Sequence, residues 1–156
     1  MVDTFVVQVD EWVLKTKQRT EAVIKASAQD VIELMQTPVK RGGNMPIDTG
    51  FLRASLRVNL TGPVPMANAN PYVEANSAPE YNGAVAVAAI AGLDVGKTLW
   101  ATYGAEYAAH VNYGVNGRVG RQFVGLAAQK WGSIVHKNVV ALKATVASNM
   151  PVTGAT

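Results

Sequence analysis

The side chains of this chain that could carry chemistry are few and scattered. His110 and His136 are its two histidines. A catalytic histidine needs a nucleophile or carboxylate held within hydrogen-bond reach. Neither has a serine–carboxylate set beside it in sequence. His110 is expected to pack beside Tyr107 or Tyr113, and His136 to face solvent beside Lys137. A small hydrolase built on either stays an alternative, because such sets assemble in space. The 11 acidic residues are spread from Asp3 to Glu106, with no His/Asp/Glu grouping at metal-ligand spacing. No metal or cofactor is expected. There is no cysteine, which excludes disulfides, zinc–thiolate sites and a thiol nucleophile. The run Gly92-Leu93-Asp94-Val95-Gly96-Lys97-Thr98 has the look of a phosphate loop. Such a loop needs four residues between its glycines and a helix after it. Here three residues intervene and a strand pattern follows, so it reads as a turn. The remaining candidates are basic pairs: Lys40/Arg41, Arg53/Arg57 and Arg118/Arg121. Repeated around a ring, such pairs make a belt for sequence-independent phosphate contact. Singly, they read as solvated or inter-subunit charges.

The elements that must position these residues follow from periodicity. Residues 1–9 are rich in β-branched side chains and read as a first strand or an ordered arm. From Asp10, a plausible N-cap, Trp12, Val13, Thr16, Thr20, Val23, Ile24, Ser27, Val31 and Leu34 recur at helical steps. That helix is expected to stop at Met35 or Gln36, before Thr37-Pro38. It either lies on the chain's own sheet or is shared with a neighbouring subunit. Lys40-Arg41-Gly42-Gly43-Asn44 reads as a flexible basic loop. Ser55–Thr61 alternates polar and apolar residues, a half-buried strand. Residues 62–79 form a long Pro- and Asn-rich loop, a binding arm in an assembly subunit. Tyr81–Ile90 reads as a turn and a strand, with Thr98–Gly104 as its hairpin partner. Glu106–Gly114 reads as two helical turns closed by a glycine. Asn116-Gly117 marks a turn. The pattern from Phe123 to Val146 predicts a second long helix ending near Asn149, and residues 150–156 are read as a flexible tail. The fold class is therefore α+β: a single domain over 1–156 with a small, mainly antiparallel sheet flanked by N-terminal and C-terminal long helices.

The stretch joining the first helix to the sheet is Met45-Pro46-Ile47-Asp48-Thr49-Gly50-Phe51-Leu52-Arg53-Ala54-Ser55-Leu56. Its chemistry suits a corner. Pro46 fixes φ, Asp48 and Thr49 can accept from nearby amides, and Gly50 tolerates a left-handed backbone. Residues 48–56 also closely resemble the Asp-Thr-Gly-x-Leu-Arg-x-Ser-Leu signature of the neck, or tail-completion, proteins of long-tailed bacteriophages, the family of the lambda Z-like minor tail protein. Tyr107-Ala108-Ala109-His110-Val111-Asn112-Tyr113-Gly114 resembles that family's second signature, Tyr-Ala-x-x-Val-Glu-Tyr-Gly, with Asn112 in the acidic place. Phe123, opening the closing helix, matches a third, weaker feature.

The resemblance implies a virion structural protein and no enzyme. It implies a ring of identical subunits, six-fold to match a tail tube, at the head-proximal end of the tail. Its partners would be further copies of itself, the tail tube or tail terminator protein, the head-closure or connector protein, and passing double-stranded DNA contacted non-specifically. It would be made in the host cytoplasm and end in the virion. Asp48, Thr49, Gly50, Leu52, Arg53, Ser55, Tyr107, Tyr113 and Gly114 are then structural motif positions, with no catalytic, cofactor or metal residue among them. Lys40, Arg41, Arg118 and Arg121 are candidate contacts to the DNA channel. The alternatives are a tail terminator capping the tube and a DNA-binding accessory protein.

Composition is compatible with this. The 156 residues suffice for one domain with a core, and 49% are hydrophobic. Only 16% are charged, which leaves less surface to solvate and suits a subunit covered by partners. A net charge of +3 permits DNA contact without the basic stripe of a dedicated binder. The opening residues lack the n- and h-regions of a secretory signal. The longest apolar run, Ala84–Leu93, is about ten residues against the ~20 needed to span a bilayer. A soluble protein without membrane contact is expected.

Overall fold

The computed structural model describes residues 3–65 and 80–149. Residues 66–79, most of the expected long loop, and 150–156, the expected tail, lie outside the described residues. Helix α1 runs from Asp3 to Gln36, 34 residues or about 50 Å at 1.5 Å per residue. Residues 3–9 belong to it and not to a strand, and Asp10 lies inside the helix and caps nothing. The reason is visible in the spacing. Phe5, Val9 and Trp12 extend the stripe of Val13 and Thr16 upstream at steps of three and four. The end at Gln36 is as expected.

The basic loop is ordered as a closed turn. A single 3-10 turn, Val39–Arg41, is followed by Gly42 with φ 82°. The Val39 amide donates to Met45 O at 3.0 Å and the Met45 amide to Thr37 O at 3.1 Å, which zips the loop shut at its base. The short helix α2, Phe51–Ala54, leads directly into strand β1, Leu56–Asn59. Leu56 and Val58 point into the core and Arg57 outward, the alternation the sequence predicts.

Residues 81–90 do not form a strand. They form α3, Gly83–Ala91. The Asn82 side chain accepts the Ala84 amide at 3.0 Å, a helix N-cap. Alanine is the best helix former, and burial follows a helical step, with Ala86 and Ile90 inside while Val85 and Val87 stay exposed. The alanine–valine alternation imitated a strand because both residue types are apolar. Strand β2, Trp100–Tyr103, consequently pairs with β1 and not with residues 84–90. The pairing is antiparallel, Leu56 opposite Tyr103 and Val58 opposite Ala101. The sheet is thus two strands, smaller than the three or four expected.

Helix α4 spans Ala108–Tyr113 and stops at Gly114, φ 89°. The tiny hairpin of β3, Gly114–Val115, and β4, Arg118–Val119, turns on Asn116 and Gly117, φ 50° and 78°. Both are left-handed, as a two-residue hairpin turn demands. The closing helix is broken into α5, Phe123–Gln129, and α6, Trp131–Ser148, at Lys130 (φ −83°, ψ −2°). The break lets α5 bury Phe123 and Ala127 while α6 runs along α1.

The core gathers Ile32 and Met35 of α1, Met45, Leu52, Leu56, Val58, Ile90, Leu93, Tyr103 and Phe123. Tyr103 meets Phe123 edge to face at 5.1 Å, a favoured aromatic geometry. The long helix therefore packs mainly on helices, not on the sheet, and only with its second half. Every residue from Phe5 to Thr20 is exposed.

Candidate functional site

The two motifs, far apart in sequence, close on one another. In the first, Met45 is fully buried and anchors the chain. Thr49 Oγ1 accepts the Phe51 amide at 3.4 Å. Gly50 takes φ 83°, a value only glycine adopts at little cost, and starts α2. Leu52 is buried, and Ser55, also buried, donates to Leu52 O at 2.7 Å. Arg53 turns inward. Its Nε donates to Gln36 O at 3.1 Å, and its guanidinium lies 5.3 Å from the Tyr81 ring centroid. Burial pushes the Tyr81 hydroxyl pKa up, with Arg53 opposing and Glu33 adding. Arg57 donates to Ala54 O and Leu56 O. These two arginines therefore serve the corner itself and do not pair as an open basic face.

The second motif lies across from the first. Tyr107 stacks at a tilt on Phe51, 6.3 Å between centroids. Its hydroxyl is shifted upward in pKa, first by burial and then by the negative charge of Asp48, with the Leu52 amide opposing. Asn112 is buried, and its Oδ1 accepts the Val124 amide at 3.0 Å in the first turn of α5. Its carbonyl accepts the Gln122 amide at 2.9 Å, and the Val111 carbonyl accepts that of Arg121 at 2.8 Å. The side chain in the motif's acidic place thus caps a neighbouring helix, a role a carboxylate would also fill. Gly114 is pressed against the hairpin, where a Cβ would overlap Arg118 O. Tyr113 is 78% exposed.

Together Asp48, Thr49, Gly50, Leu52, Tyr107, Val111 and Arg121 line a recess of about 510 Å³. A slightly smaller one of about 470 Å³ adjoins it, sharing Pro46, Asp48 and Arg121 and adding Lys40 and Ile47. Of the four candidate DNA contacts, Lys40 and Arg121 come together here. Arg41 faces a different recess with Arg53, and Arg118 stands exposed on the hairpin. They do not form one patch within the subunit.

Among the described residues, no group of three His, Cys, Asp or Glu side chains could hold a metal ion. His110 and His136 are both exposed, His136 as expected. The Gly92–Thr98 run is a turn, with the Lys97 amide donating to Asp94 O at 3.1 Å and its ammonium reaching Gly92 O at 3.4 Å. A strand follows, so no helix N-terminus faces the loop. Among the described residues no helix is long and apolar enough to cross a membrane. No family model matches the chain, and no characterised protein or solved structure matches it either.

Sequence reasoning missed one surface. Phe5, Val9, Trp12 and Val13 form an apolar stripe with nothing against it among the described residues. The signal was present in the three- and four-residue spacing upstream of Asp10, but the β-branched composition masked it.

Proposed function

We propose that this chain is a structural subunit of the neck of a long-tailed bacteriophage, part of a ring joining the tail tube to the head connector around the DNA channel. The observation that carries the reading is the meeting of the two signature stretches. Asp48, Thr49, Gly50 and Leu52 line one recess with Tyr107 and Val111 of the second stretch. Such joint use is what two motifs of one structural unit require, and it accounts for their residue types without any catalytic role. The long helix supports the class independently. A helix with half its length exposed and apolar is costly in an isolated subunit and sensible in an assembly. Lys40 and Arg121 would add sequence-independent phosphate contacts once multiplied by ring symmetry.

The test is the mass of the purified protein in solution, alone and with tail-tube protein. A ring-sized species, or a monomer that becomes one when tube is added, supports the reading. A monomer indifferent to both tube and connector sinks it.

A further inference from the structure

The apolar stripe of α1 does not end where its partner does. Asp30 accepts from Lys137 Nζ at 2.8 Å and from Asn138 Nδ2 at 3.0 Å. From there the seam runs antiparallel, Val23 and Ile24 facing Val139, Leu142 and Val146. It is incompletely filled. No residue of α6 is fully buried, and a groove of about 600 Å³ remains between the helices, apolar along its floor. Where α6 stops, near Arg19 and Thr20, the same stripe of α1 continues through Val13, Trp12, Val9 and Phe5 with no partner among the described residues. Trp12 is 67% and Phe5 73% exposed.

We infer that this first half of α1 docks into the α1–α6 groove of a second copy of the chain. The inference rests on the reading of the chain as an assembly subunit and names the contact. One ground is continuity, since the ridge prolongs the very seam that α6 already covers. Area is the other. A phenylalanine and a tryptophan bury roughly 150–250 Å² each, a large part of the roughly 800 Å² per partner in a standard interface, before the valines are counted. Ridge and groove are different surfaces, so each copy gives one and receives one. Contacts of that kind propagate from copy to copy and close into a ring when the rotation allows.

The absence of cysteine permits a direct test on the full chain. Trp12→Cys and Val146→Cys are made singly and together, and each protein is oxidised and sized under denaturing, non-reducing conditions. Far-UV circular dichroism beforehand confirms an unchanged helix content. The double variant is expected to give a ladder or closed ring of linked chains, an equal mixture of the single variants a linked dimer, and each single variant alone a monomer. Linked dimers of Trp12→Cys alone would mean ridge against ridge and overturn the inference. So would an absence of cross-links in the double variant while native mass still shows an oligomer, an outcome that leaves the assembly reading standing. If the protein is also monomeric and indifferent to tail tube, both fall.

Discussion

Gln36 and Arg53 exchange hydrogen bonds. Arg53 Nε donates to the Gln36 carbonyl at 3.1 Å, and Gln36 Nε2 donates to the Arg53 carbonyl at 3.2 Å. Gln36 is the last residue of α1, so the guanidinium sits at the negative end of the helix dipole. This pair is the clasp between the long helix and the motif corner.

Arg53→Ala is therefore expected to lose about 2 kcal/mol of stability, in the range for hydrogen bonds to a charged group. Arg53→Lys restores the charge but not the planar face against Tyr81, and recovers only part of the loss. Urea denaturation midpoints at unchanged slope measure both.

Asn112 gives a second test. Its Oδ1 is the acceptor for the Val124 amide at the start of α5. Asn112→Ala leaves that amide unpaired in a buried place and should cost about 1–2 kcal/mol. Asn112→Asp keeps an acceptor there and should cost less at neutral pH. The ordering Asn, Asp, Ala in thermal midpoint checks the capping role.

Asp30 gives a pH dependence. Hydrogen bonds from Lys137 and then Asn138 hold its carboxyl below the usual range. A depressed folded-state pKa means the contribution is present above the unfolded value of about 3.9 and is lost as pH falls through the folded value. The stability gap between the natural chain and Asp30→Asn should thus be open at pH 7 and close in acid. Denaturant titrations from pH 7 to pH 2 read it, and a gap independent of pH would contradict it.

Tyr103 predicts the opposite sign. Its hydroxyl is buried, has no hydrogen-bond partner among the described residues, and its pKa is raised, chiefly by burial and then by Tyr81. Tyr103→Phe removes an unsatisfied polar group and should leave stability at neutral pH equal or higher by up to about 1 kcal/mol. A raised folded-state pKa contributes below the unfolded value of about 10 and is lost as pH rises toward the folded one. Above pH 10 the natural chain should weaken faster than the Phe variant in the same denaturant assay.

Much of this fold was legible wherever a local rule acted alone. Thr37-Pro38 marked the end of α1, Gly50 the left-handed corner, Asn116-Gly117 the hairpin turn, and Leu56 and Val58 the inward face of β1. The errors share a cause. At residues 5–9 and 84–90, β-branched side chains were weighed above spacing and neighbours. The steps of three and four through Phe5, Val9 and Trp12 already marked a helix face, and Asn82 and the alanines already supplied a capped helix. The break at Lys130 left no mark in the periodicity, because it comes from α5 and α6 packing on different neighbours. For the site, the sequence named both motifs but not their convergence, which depends on the path of the chain between them. The inward turn of Arg53 was likewise hidden, since an arginine reads the same from sequence whether it faces DNA or a helix end.

The free half of α1 also has a mechanical meaning. Lys17 is held to the body by an ion pair to Asp94 at 3.6 Å, and from there to Phe5 the helix reaches about 18 Å further at 1.5 Å per residue. It is stiffened by its own backbone ladder and, among the described residues, anchored at one end only. A bend of 10° at its root would carry the tip sideways by about 3 Å, within the gentle curvature long helices already adopt. In the proposed assembly, such a lever would let one copy meet a neighbour set at a slightly different spacing or tilt while its core stays as it is.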